Sequence, residues 1–359
     1  MTENPEKDHR IRVGISHGDI NGISYEIIIK TLQDQRLLEL YTIIVYGSSK
    51  VASYHRKTLN INDFNFNLVK KADLAHPHRP NIVNIHEEEV KIDLGKSTTI
   101  AGEQSLLSLE MAIDDLMKNQ IDVLVTAPIN KKNIQSPTFQ FPGHTEYLAR
   151  KFNTPDYLML MVNDTVRIGV ITGHIPLNKV TETITEELIR KKINILNHSL
   201  MRDFGILKPR IAILALNPHA GDEGLIGNED DTIVRPAIEK AYSQNILVFG
   251  PFPSDGFFGS GNFRFFDGIL AIYHDQGMLP FKLLSFENGV NFTAGLPVIR
   301  TSPAHGTAYD IAGKNEANPE AFRDAVFLAC DIFNRRIAYD ALIANPLYPS
   351  TPEQESSQP

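Results

Sequence analysis

The sequence predicts an α/β fold built on a mainly parallel sheet, and two observations support this prediction. Short apolar runs bounded by glycine, proline or asparagine recur along the chain, which is typical of buried parallel strands. Segments with helical character lie between these runs, so strands and helices alternate. With 359 residues, the chain is long enough for a large core and for two structural lobes.

The elements of the N-terminal third can be predicted in order. The run IRVGIS predicts a strand at 11–16, and a helix is expected at 24–39. The run YTIIVY predicts a second strand at 41–46. Apolar residues at helical spacing predict a helix at 102–118, which the strand IDVLVTAP follows at 121–128.

The same alternation continues in the rest of the chain. A strand is expected at 166–173, a helix at 183–203, and further strands at 211–216 and 268–273. No internal repeat or linker interrupts the pattern, so we expect two lobes that share a continuous sheet. Residues 1–10 are expected to form a loose leader.

Composition and charge exclude several classes of protein. The formal net charge of −8 argues against a general binder of nucleic acid or of anionic membranes. No stretch approaches the roughly 20 apolar residues of a membrane span, and the polar N-terminus is unlike a signal peptide. Cys330 is the single cysteine, which excludes a disulfide scaffold and a thiolate metal cluster. A reducing cytoplasm is therefore the expected setting.

Three histidines each stand just past the end of an apolar run. The runs VRIGVITG, IAILALNP and GILAIY deliver His174, His219 and His274. The carboxyl ends of parallel strands are where open α/β sheets bind ligands, so the three imidazoles can converge on one cation there. Three protein ligands would leave positions open for substrate, as a catalytic metal site requires.

Each histidine taken alone is better explained as a hydrogen-bonded residue in a turn. Their separations, 45 and 55 residues, match no short metal motif, so the prediction depends on the repeated strand-end context. Imidazole is a common ligand of Zn, Co and similar ions, whereas Mg prefers oxygen ligands.

The loops after these histidines carry residues suited to an anion. Lys282 and Arg300 are embedded in apolar and glycine-rich sequence, although surface charges of this type are most often merely solvated. Near a metal, they suit a carboxylate or a phosphate group. Asn291 and further hydroxyl-bearing residues lie in the same stretch.

Two other turns leave alternatives open. His144 and Thr145 in PGHTE precede a helical stretch, where they either bind a phosphate or simply cap the helix. The segment TAPINK places Asn130 and Lys131 on the edge expected for the histidines, or forms a plain turn. Asp255 is a candidate buried carboxylate, and the alternative is an Asx turn.

The first strand opens into SHGDINGISYE, whose glycines allow a close backbone approach. This loop is not a G-x-G-x-x-G motif, and the chain contains no P-loop motif. Standard dinucleotide and P-loop sites are therefore unsupported. Ordinary turn and helix roles are favoured for Asp19 and Glu26.

Consecutive motifs between 142 and 313 resemble the 4-hydroxythreonine-4-phosphate dehydrogenase family of vitamin B6 biosynthesis. They are GHTEYLA, TGHIPLNKV, LNPHAGDEG, GPFPSD, YHDQGMLPFK and VNFTAGLPVIRTSPAHGTAYDIAG. The resemblance implies a three-layer α/β/α fold like that of isocitrate and isopropylmalate dehydrogenases, with two lobes around a cleft. It also implies a homodimer without the usual Rossmann nucleotide loop.

The resemblance also implies roles for single residues. It makes His174, His219 and His274 ligands of a divalent metal, with one ligand supplied by the dimer mate. Substrate contacts fall on His144 and Thr145, and the later ones on Lys282, Asn291 and Arg300. Lys282 and Asp255 are the candidates for the general base, and the residues that bind the cofactor stay unassigned.

On this basis we expect a discontinuous first lobe, a second lobe and a tail. The first lobe comprises 11–140 with 305–345, and the second, 141–304, holds the metal ligands and the dimer interface. Residues 346–359 are expected to be a disordered tail.

Several positions depart from the family pattern. Ile20 and Asn21 replace Pro-Ala in the first loop, and Ser24 and Tyr25 replace Gly-Pro. Two further departures lie near the C-terminal motif, where an aspartate and a glycine are usual: Ala304 and Asn315.

The predicted activity is the NAD-dependent oxidation and decarboxylation of 4-phosphooxy-L-threonine to 3-amino-2-oxopropyl phosphate. The expected cofactors are NAD or NADP and a divalent metal, Zn, Mg or Co. A related dehydrogenase of 4-phospho-D-threonate or 4-phospho-D-erythronate is the first alternative. A non-catalytic protein that binds metal or phosphate is the second.

Overall fold

The computed structural model describes residues 9–285 and 287–345. The predicted tail and most of the predicted leader lie outside these ranges. The strands are β1 Arg12–Ser16, β2 Thr42–Gly47, β3 Asn67–Val69, β4 Asn81–Asn84, β5 Val123–Thr126, β6 Leu158–Val162, β7 Arg167–Val170, β8 Arg210–Leu214, β9 Leu247–Phe252, β10 Gly268–Ala271, β11 Val290–Ala294 and β12 Arg300–Pro303. The α-helices are α1 Ser24–Leu32, α2 Gln35–Leu40, α3 Ser49–Thr58, α4 Thr99–Met117, α5 His144–Lys151, α6 Val180–Thr183, α7 Glu186–Arg202, α8 Arg235–Tyr242, α9 Ser254–Gly259, α10 His274–Leu284 and α11 Glu320–Ile343.

All these strands form one continuous sheet in the order β3-β4-β2-β1-β5-β12-β11-β6-β7-β10-β8-β9. From β3 to β12 neighbouring strands run parallel, and the same holds from β7 to β9. Between these halves, β11 is antiparallel to β12 and β6, and β6 is antiparallel to β7. The strands from β7 to β9 therefore run opposite to β1 and β5.

The sheet is covered by helices on both faces. All six residues of β2 are buried, as expected for a strand between two layers. Ile43 and Val45 face a core that includes α1 and α11, whereas Ile44 and Tyr46 face a second core formed with α4. In the other half, α9 and α10 cover β7, β10 and β8 on one face. The predicted α/β/α layering is confirmed.

The strand-end context of the three histidines is also confirmed. β7, β10 and β8 are neighbours and run parallel, so their carboxyl ends meet at one edge. His174 and His219 follow β7 and β8 by a short loop, and His274 begins α10 directly after β10.

The predicted helix at 24–39 is wrong in one respect, because two helices occupy this stretch. Asp34 has an extended backbone, with φ −75° and ψ 101°, and its side chain accepts from the Arg36 amide. An aspartate that caps a new helix in this way ends the first one.

In the described ranges, no helix combines the length and the apolar character that a membrane crossing requires. The division into two lobes stays a prediction.

Candidate active site

A cavity of about 300 Å³ lies against one face of the sheet, over β12, β11 and β6. Arg300 and Ser302 of β12, Asn291 of β11, and Met159 and Met161 of β6 line it. These residues alternate along their strands and pair across them, so their side chains share one face. The first turn of α5, one side of α10 and the loop after β5 complete the wall.

The expectation that Asn130 and Lys131 share an edge with the histidines is wrong. β5 and β7 run in opposite directions because the sheet reverses at β11 and β6, so their carboxyl ends lie at opposite edges. Lys131 nevertheless lines the cavity, as do His174 and His274. Residues from both edges of the sheet therefore line the cavity.

Arg300 is a buried cation at the floor of the cavity. Its guanidinium donates to Thr126 Oγ1 from Nε and Nη2, at 3.0 and 2.6 Å, and Nη2 lies 3.0 Å from His144 Nδ1. No carboxylate of the described residues forms an ion pair with it within 4.0 Å, the nearest influence being the more distant Glu146. Burial lowers the pKa of Arg300 to about 9, so the group stays charged at neutral pH.

The contact with Arg300 fixes the tautomer of His144. A guanidinium can only donate, so Nδ1 of His144 accepts and the proton resides on Nε2. Burial, and then the positive charges of Arg300 and Lys131, hold the pKa of His144 well below its usual range. Its Nε2 is buried without a partner among the described residues, which leaves one N–H donor for a ligand.

Three further residues predicted from the sequence stand around this network. Thr145 Oγ1 lies 3.3 Å from Thr293 Oγ1, and the Asn291 Oδ1 atom is buried without a partner in the described part of the chain. Lys282 is exposed in the last turn of α10 and lines the cavity. The structure therefore brings His144, Thr145, Lys282, Asn291 and Arg300 around one space.

Two of the three predicted metal ligands are neighbours. The ring centroids of His174 and His274 lie 5.2 Å apart, with 40° between the planes. His274 Nδ1 is 2.7 Å from Asp275 Oδ1, and His174 Nδ1 is 3.7 Å from Glu146 Oε1. In both rings the described carboxylates contact Nδ1, and none of them lies within 4.0 Å of Nε2.

His219 lies apart from this pair. It is exposed and does not line the cavity, and the described residues contain no group of three His, Cys, Asp or Glu side chains placed to hold a metal. His219 begins six consecutive residues with positive φ, 219–224, of which only Gly221 and Gly224 are glycines. Left-handed backbone costs about 1–2 kcal/mol per non-glycine residue, and such strain concentrates at functional sites.

A buried carboxylate anchors the base of this loop. Asp230 is fully buried and accepts from the amides of Leu216 and Asn217 at 2.8 and 2.9 Å. The strand end before His219 is therefore held firmly, although the histidine itself projects into solvent.

The expectation that Asp255 is a buried carboxylate is wrong. The residue is exposed in the first turn of α9, and its Oδ1 accepts from the Gly256 amide at 2.7 Å. It does not line the cavity. A carboxylate at a helix start is stabilised by free amides and needs no burial.

Sequence reasoning missed several residues of the site. Glu146 and Asp275 were not predicted, although each stands beside a predicted site residue. An acid next to a candidate histidine is a signal that could have identified both. Met159, Met161 and Met278 form an apolar part of the wall. Nothing in their sequence context distinguishes them from ordinary core residues.

The donors present fit an anionic substrate and a divalent metal. Lys131, Lys282 and Arg300 supply positive charge, and Glu146 is the one carboxylate that the described residues contribute to the lining. Burial alone would raise the pKa of Glu146, but His174 and Lys131 hold it below its ordinary value. Two imidazoles that turn Nε2 away from their carboxylates are a partial ligand set that suits Zn or Co better than Mg.

Comparisons with known proteins agree over most of the chain. The model of the family described as pyridoxal phosphate biosynthetic protein PdxA matches residues 39–329. The 4-hydroxythreonine-4-phosphate dehydrogenase of Bacteroides thetaiotaomicron is 51% identical over 342 residues, which cover 95% of this chain and 94% of that protein. A provisionally named D-threonate 4-phosphate dehydrogenase of Oceanobacillus iheyensis is 36% identical over 89% of this chain and 97% of its own.

A solved structure confirms the fold. The 4-hydroxythreonine-4-phosphate dehydrogenase of Klebsiella pneumoniae superposes with a TM-score of 0.76 at 33% identity. The superposition covers 90% of this chain and 98% of the other.

Proposed function

The chain belongs to the pyridoxal phosphate biosynthetic protein PdxA family, and we propose that it oxidises and decarboxylates 4-phosphooxy-L-threonine with NAD and a divalent metal. One observation carries this proposal: the buried guanidinium of Arg300, which has no carboxylate partner among the described residues, shares a cavity with two neighbouring imidazoles. The guanidinium suits an anionic group of the substrate, and the two imidazoles suit a metal beside the carbon that reacts.

The cationic and hydrogen-bonding side chains of the cavity would bind the substrate. Arg300 and Lys282 would pair with its phosphate and carboxylate, and a desolvated guanidinium binds such groups more strongly than a solvated one. The Nε2–H of His144 would donate to one of these oxygens. Thr145 and Asn291 supply the remaining polar contacts.

His174 and His274 would hold the metal, together with His219 of the partner subunit. A divalent metal held by these residues would supply a positive charge that stabilises negative charge on the substrate's oxygen atoms. The protein's own task is to orient two imidazoles at the cavity wall. The exposure and the left-handed backbone of His219 suit a residue that completes a site in a second chain.

The exposed apolar surface near these histidines supports a homodimer. Leu279 and Leu283 of α10 are 62% and 78% exposed, and Leu225 after the His219 loop is 82% exposed. Large apolar side chains exposed together mark interaction surfaces. We place the dimer interface here, so that the loop of one subunit packs on α10 of the other.

The reaction is oxidation at the secondary hydroxyl, followed by loss of carbon dioxide. A base takes the hydroxyl proton while the hydride on the same carbon passes to NAD, which leaves a β-keto acid. The carbon–carboxylate bond then breaks, and a proton adds to the adjacent carbon to give 3-amino-2-oxopropyl phosphate. The cavity would hold the β-keto acid through its phosphate during both steps.

Lys282 is the better of the two candidates for the general base. It lines the cavity and stands on the same helix as His274. Asp255 is exposed outside the cavity and bonded to its own turn. We place the enzyme in the cytoplasm, in keeping with its single cysteine.

The alternative substrates are 4-phospho-D-threonate and 4-phospho-D-erythronate, because a relative is provisionally named for the first of these. They carry a hydroxyl where 4-phosphooxy-L-threonine carries an amine. The same cations and metal would serve all three substrates.

A substrate panel on metal-reconstituted protein tests the proposal. Each of the three phosphorylated acids is offered with NAD and, separately, with NADP, and reduced cofactor and carbon dioxide are measured. We expect the highest kcat/KM for 4-phosphooxy-L-threonine, with carbon dioxide released in step with reduced cofactor.

A higher kcat/KM for 4-phospho-D-threonate or 4-phospho-D-erythronate would show that the protein is the related dehydrogenase instead. If the protein holds metal but reduces neither cofactor with any of the three acids, it is a binding protein and the proposed function is wrong.

A further inference from the structure

We propose that Glu146 is a positioning residue of the metal centre, whose carboxylate holds the His174 ring so that Nε2 faces the metal. This inference rests on the proposed function, since it concerns how His174 binds the divalent ion. It adds a residue that touches neither the substrate nor the metal.

The geometry places Glu146 at the cavity wall beside His174. It stands in the first turn of α5, two residues after His144, and its side chain is 23% exposed. Its Oε1 lies 3.7 Å from His174 Nδ1, and His174 forms no ion pair with any other described carboxylate within 4.0 Å. In the described part of the chain, no other carboxylate lines the cavity. The short helix thus presents one residue to the substrate and another to the metal ligand.

The second imidazole of the pair also turns Nδ1 toward a carboxylate, in its case at hydrogen-bond distance, whereas the contact of His174 with Glu146 is longer. His274 Nδ1 is 2.7 Å from Asp275 Oδ1, so each ring directs Nδ1 to a carboxylate and leaves Nε2 free. A carboxylate on the outer nitrogen fixes the tautomer of a metal-binding histidine and raises its basicity. His174 needs such a partner more than His274 does, because its loop is not part of a helix.

Two other roles for Glu146 predict different behaviour. An acid in the first turn of a helix can simply stabilise the helix, and then only folding would respond to its removal. A counter-charge for a lysine would need a close ion pair, and no described lysine or arginine lies within 4.0 Å of its carboxylate. Among the residues that the structure describes, His174 is the one basic side chain within 4.0 Å of the Glu146 carboxylate.

Cobalt binding to the metal-free full-length chain tests the proposal. The dissociation constant is measured by competition with a chelator, and the visible absorption of bound cobalt reports its ligand geometry. Glu146→Gln keeps the shape and removes the charge, so we expect affinity to fall about 10–100-fold with a changed cobalt spectrum. Glu146→Asp keeps the charge on a shorter arm and should lie between wild type and Glu146→Gln.

The matched control is Glu187→Gln, which removes an exposed acid from the first turn of α7, away from the cavity. It should leave cobalt affinity and spectrum unchanged. Wild-type affinity in Glu146→Gln would overturn the proposal, as would a weaker affinity matched by an equal loss of thermal stability in the metal-free protein. Should Glu146→Gln not fold, Glu146→Asp decides by the same criteria.

Failure of this proposal can be told apart from failure of the proposed function. Cobalt binding by the wild type that His174→Ala abolishes and Glu146→Gln leaves intact would overturn the role of Glu146 alone. A wild type that binds no cobalt would overturn both.

Discussion

At the scale of single residues, Arg300 is the main support for the proposal that the cavity binds an anion. Its guanidinium is buried, bonds only neutral partners, and has no carboxylate within ion-pair distance among the described residues. A buried charge without a counter-charge destabilises the folded protein. An anionic ligand that pairs with this charge would offset that loss of stability. Thr126 and His144 orient the group but cannot neutralise it.

Arg300→Met tests this balance of stability against binding. Methionine fills similar volume without charge, so we expect the metal-free variant to melt at or above the wild-type temperature. Loss of a charged hydrogen-bonding group of about 1.5–3 kcal/mol should raise KM for the phosphorylated substrate at least tenfold. Steady-state kinetics and thermal melting of the same preparation give both values.

Arg150→Ala is the matched control, since Arg150 is exposed on α5 close in the chain to His144 but does not line the cavity. Arg150→Ala should change neither the KM nor the melting temperature. An unaltered KM in Arg300→Met would show that Arg300 does not bind the substrate.

The sequence indicates which residues belong to the site better than it indicates their burial or their neighbours. Arg300 and Lys282 are predicted because their charges stand among apolar and glycine residues, and His144 because it stands in a polar turn before a predicted helix. Burial depends on what packs around a side chain, however, and that misled the prediction for Asp255. Glu146 was missed because its partner, His174, is distant in the sequence and adjacent only in the fold.

At the scale of elements, the first loop shows how a departure from the family pattern is accommodated. Asn21 is fully buried, and its Nδ2 donates to Lys96 O at 2.9 Å and Thr98 Oγ1 at 3.0 Å. Its Oδ1 accepts from the Asp93 amide at 2.8 Å. Thr98 in turn caps α4. One asparagine therefore ties the first loop to the segment that begins α4.

Tyr25 is the second departure with a structural role. Its ring stacks between His17 and His55, at centroid distances of 5.3 and 5.1 Å, and its hydroxyl accepts from the Ser48 amide at 2.9 Å. Burial lowers the pKa of both histidines, to about 3 and about 4, so both rings are neutral and apolar stacking is favourable. Asn21 and Tyr25 thus bond the altered first loop to neighbouring segments of the fold.

Asn21→Ala tests whether this asparagine stabilises the fold. Alanine is the residue usual in the family at this position, but here it would leave several buried polar groups without partners. We expect the free energy of unfolding to fall by about 1–3 kcal/mol, seen as a lower denaturant midpoint.

Asn178→Ala, at an exposed position, serves as the comparison and should change stability by no more than about 0.5 kcal/mol. Equal midpoints for Asn21→Ala and wild type would mean that the loop does not depend on these bonds.

The sequence predicts β1, β2, β5, β7, β8 and β10, because a buried strand needs a continuous apolar run, and the other strands of the described residues were not predicted. Strand direction could not be predicted, because it depends on connections rather than composition. The reversal at β11 and β6 placed Lys131 and the histidines at opposite edges. The break between α1 and α2 was missed because Asp34 is an ordinary helix residue until its capping geometry is seen.

At the scale of the whole molecule, the site joins parts of the chain that are far apart in sequence. The cavity is lined by residues after β5, around 305, and from both α5 and α10, so both predicted lobes contribute. The continuous sheet holds these parts in one arrangement. His219 remains outside it, exposed on its strained loop. The proposed dimer is what would bring the third imidazole to the other two.

A hybrid dimer tests this central claim most directly. His219→Ala and His174→Ala chains carrying different tags are co-expressed, and dimers holding both tags are purified. Each variant homodimer should be inactive. In the hybrid, one site has His174 and His274 from one chain and His219 of the partner subunit, so all three ligands are present. We therefore predict about half of the wild-type activity per dimer, with metal in one site of two.

The hybrid of His174→Ala with His274→Ala provides the control, because neither of its sites can then be complete, and it should be inactive. Folded hybrid dimers of His219→Ala with His174→Ala that bind no metal and show no activity would contradict the shared metal site.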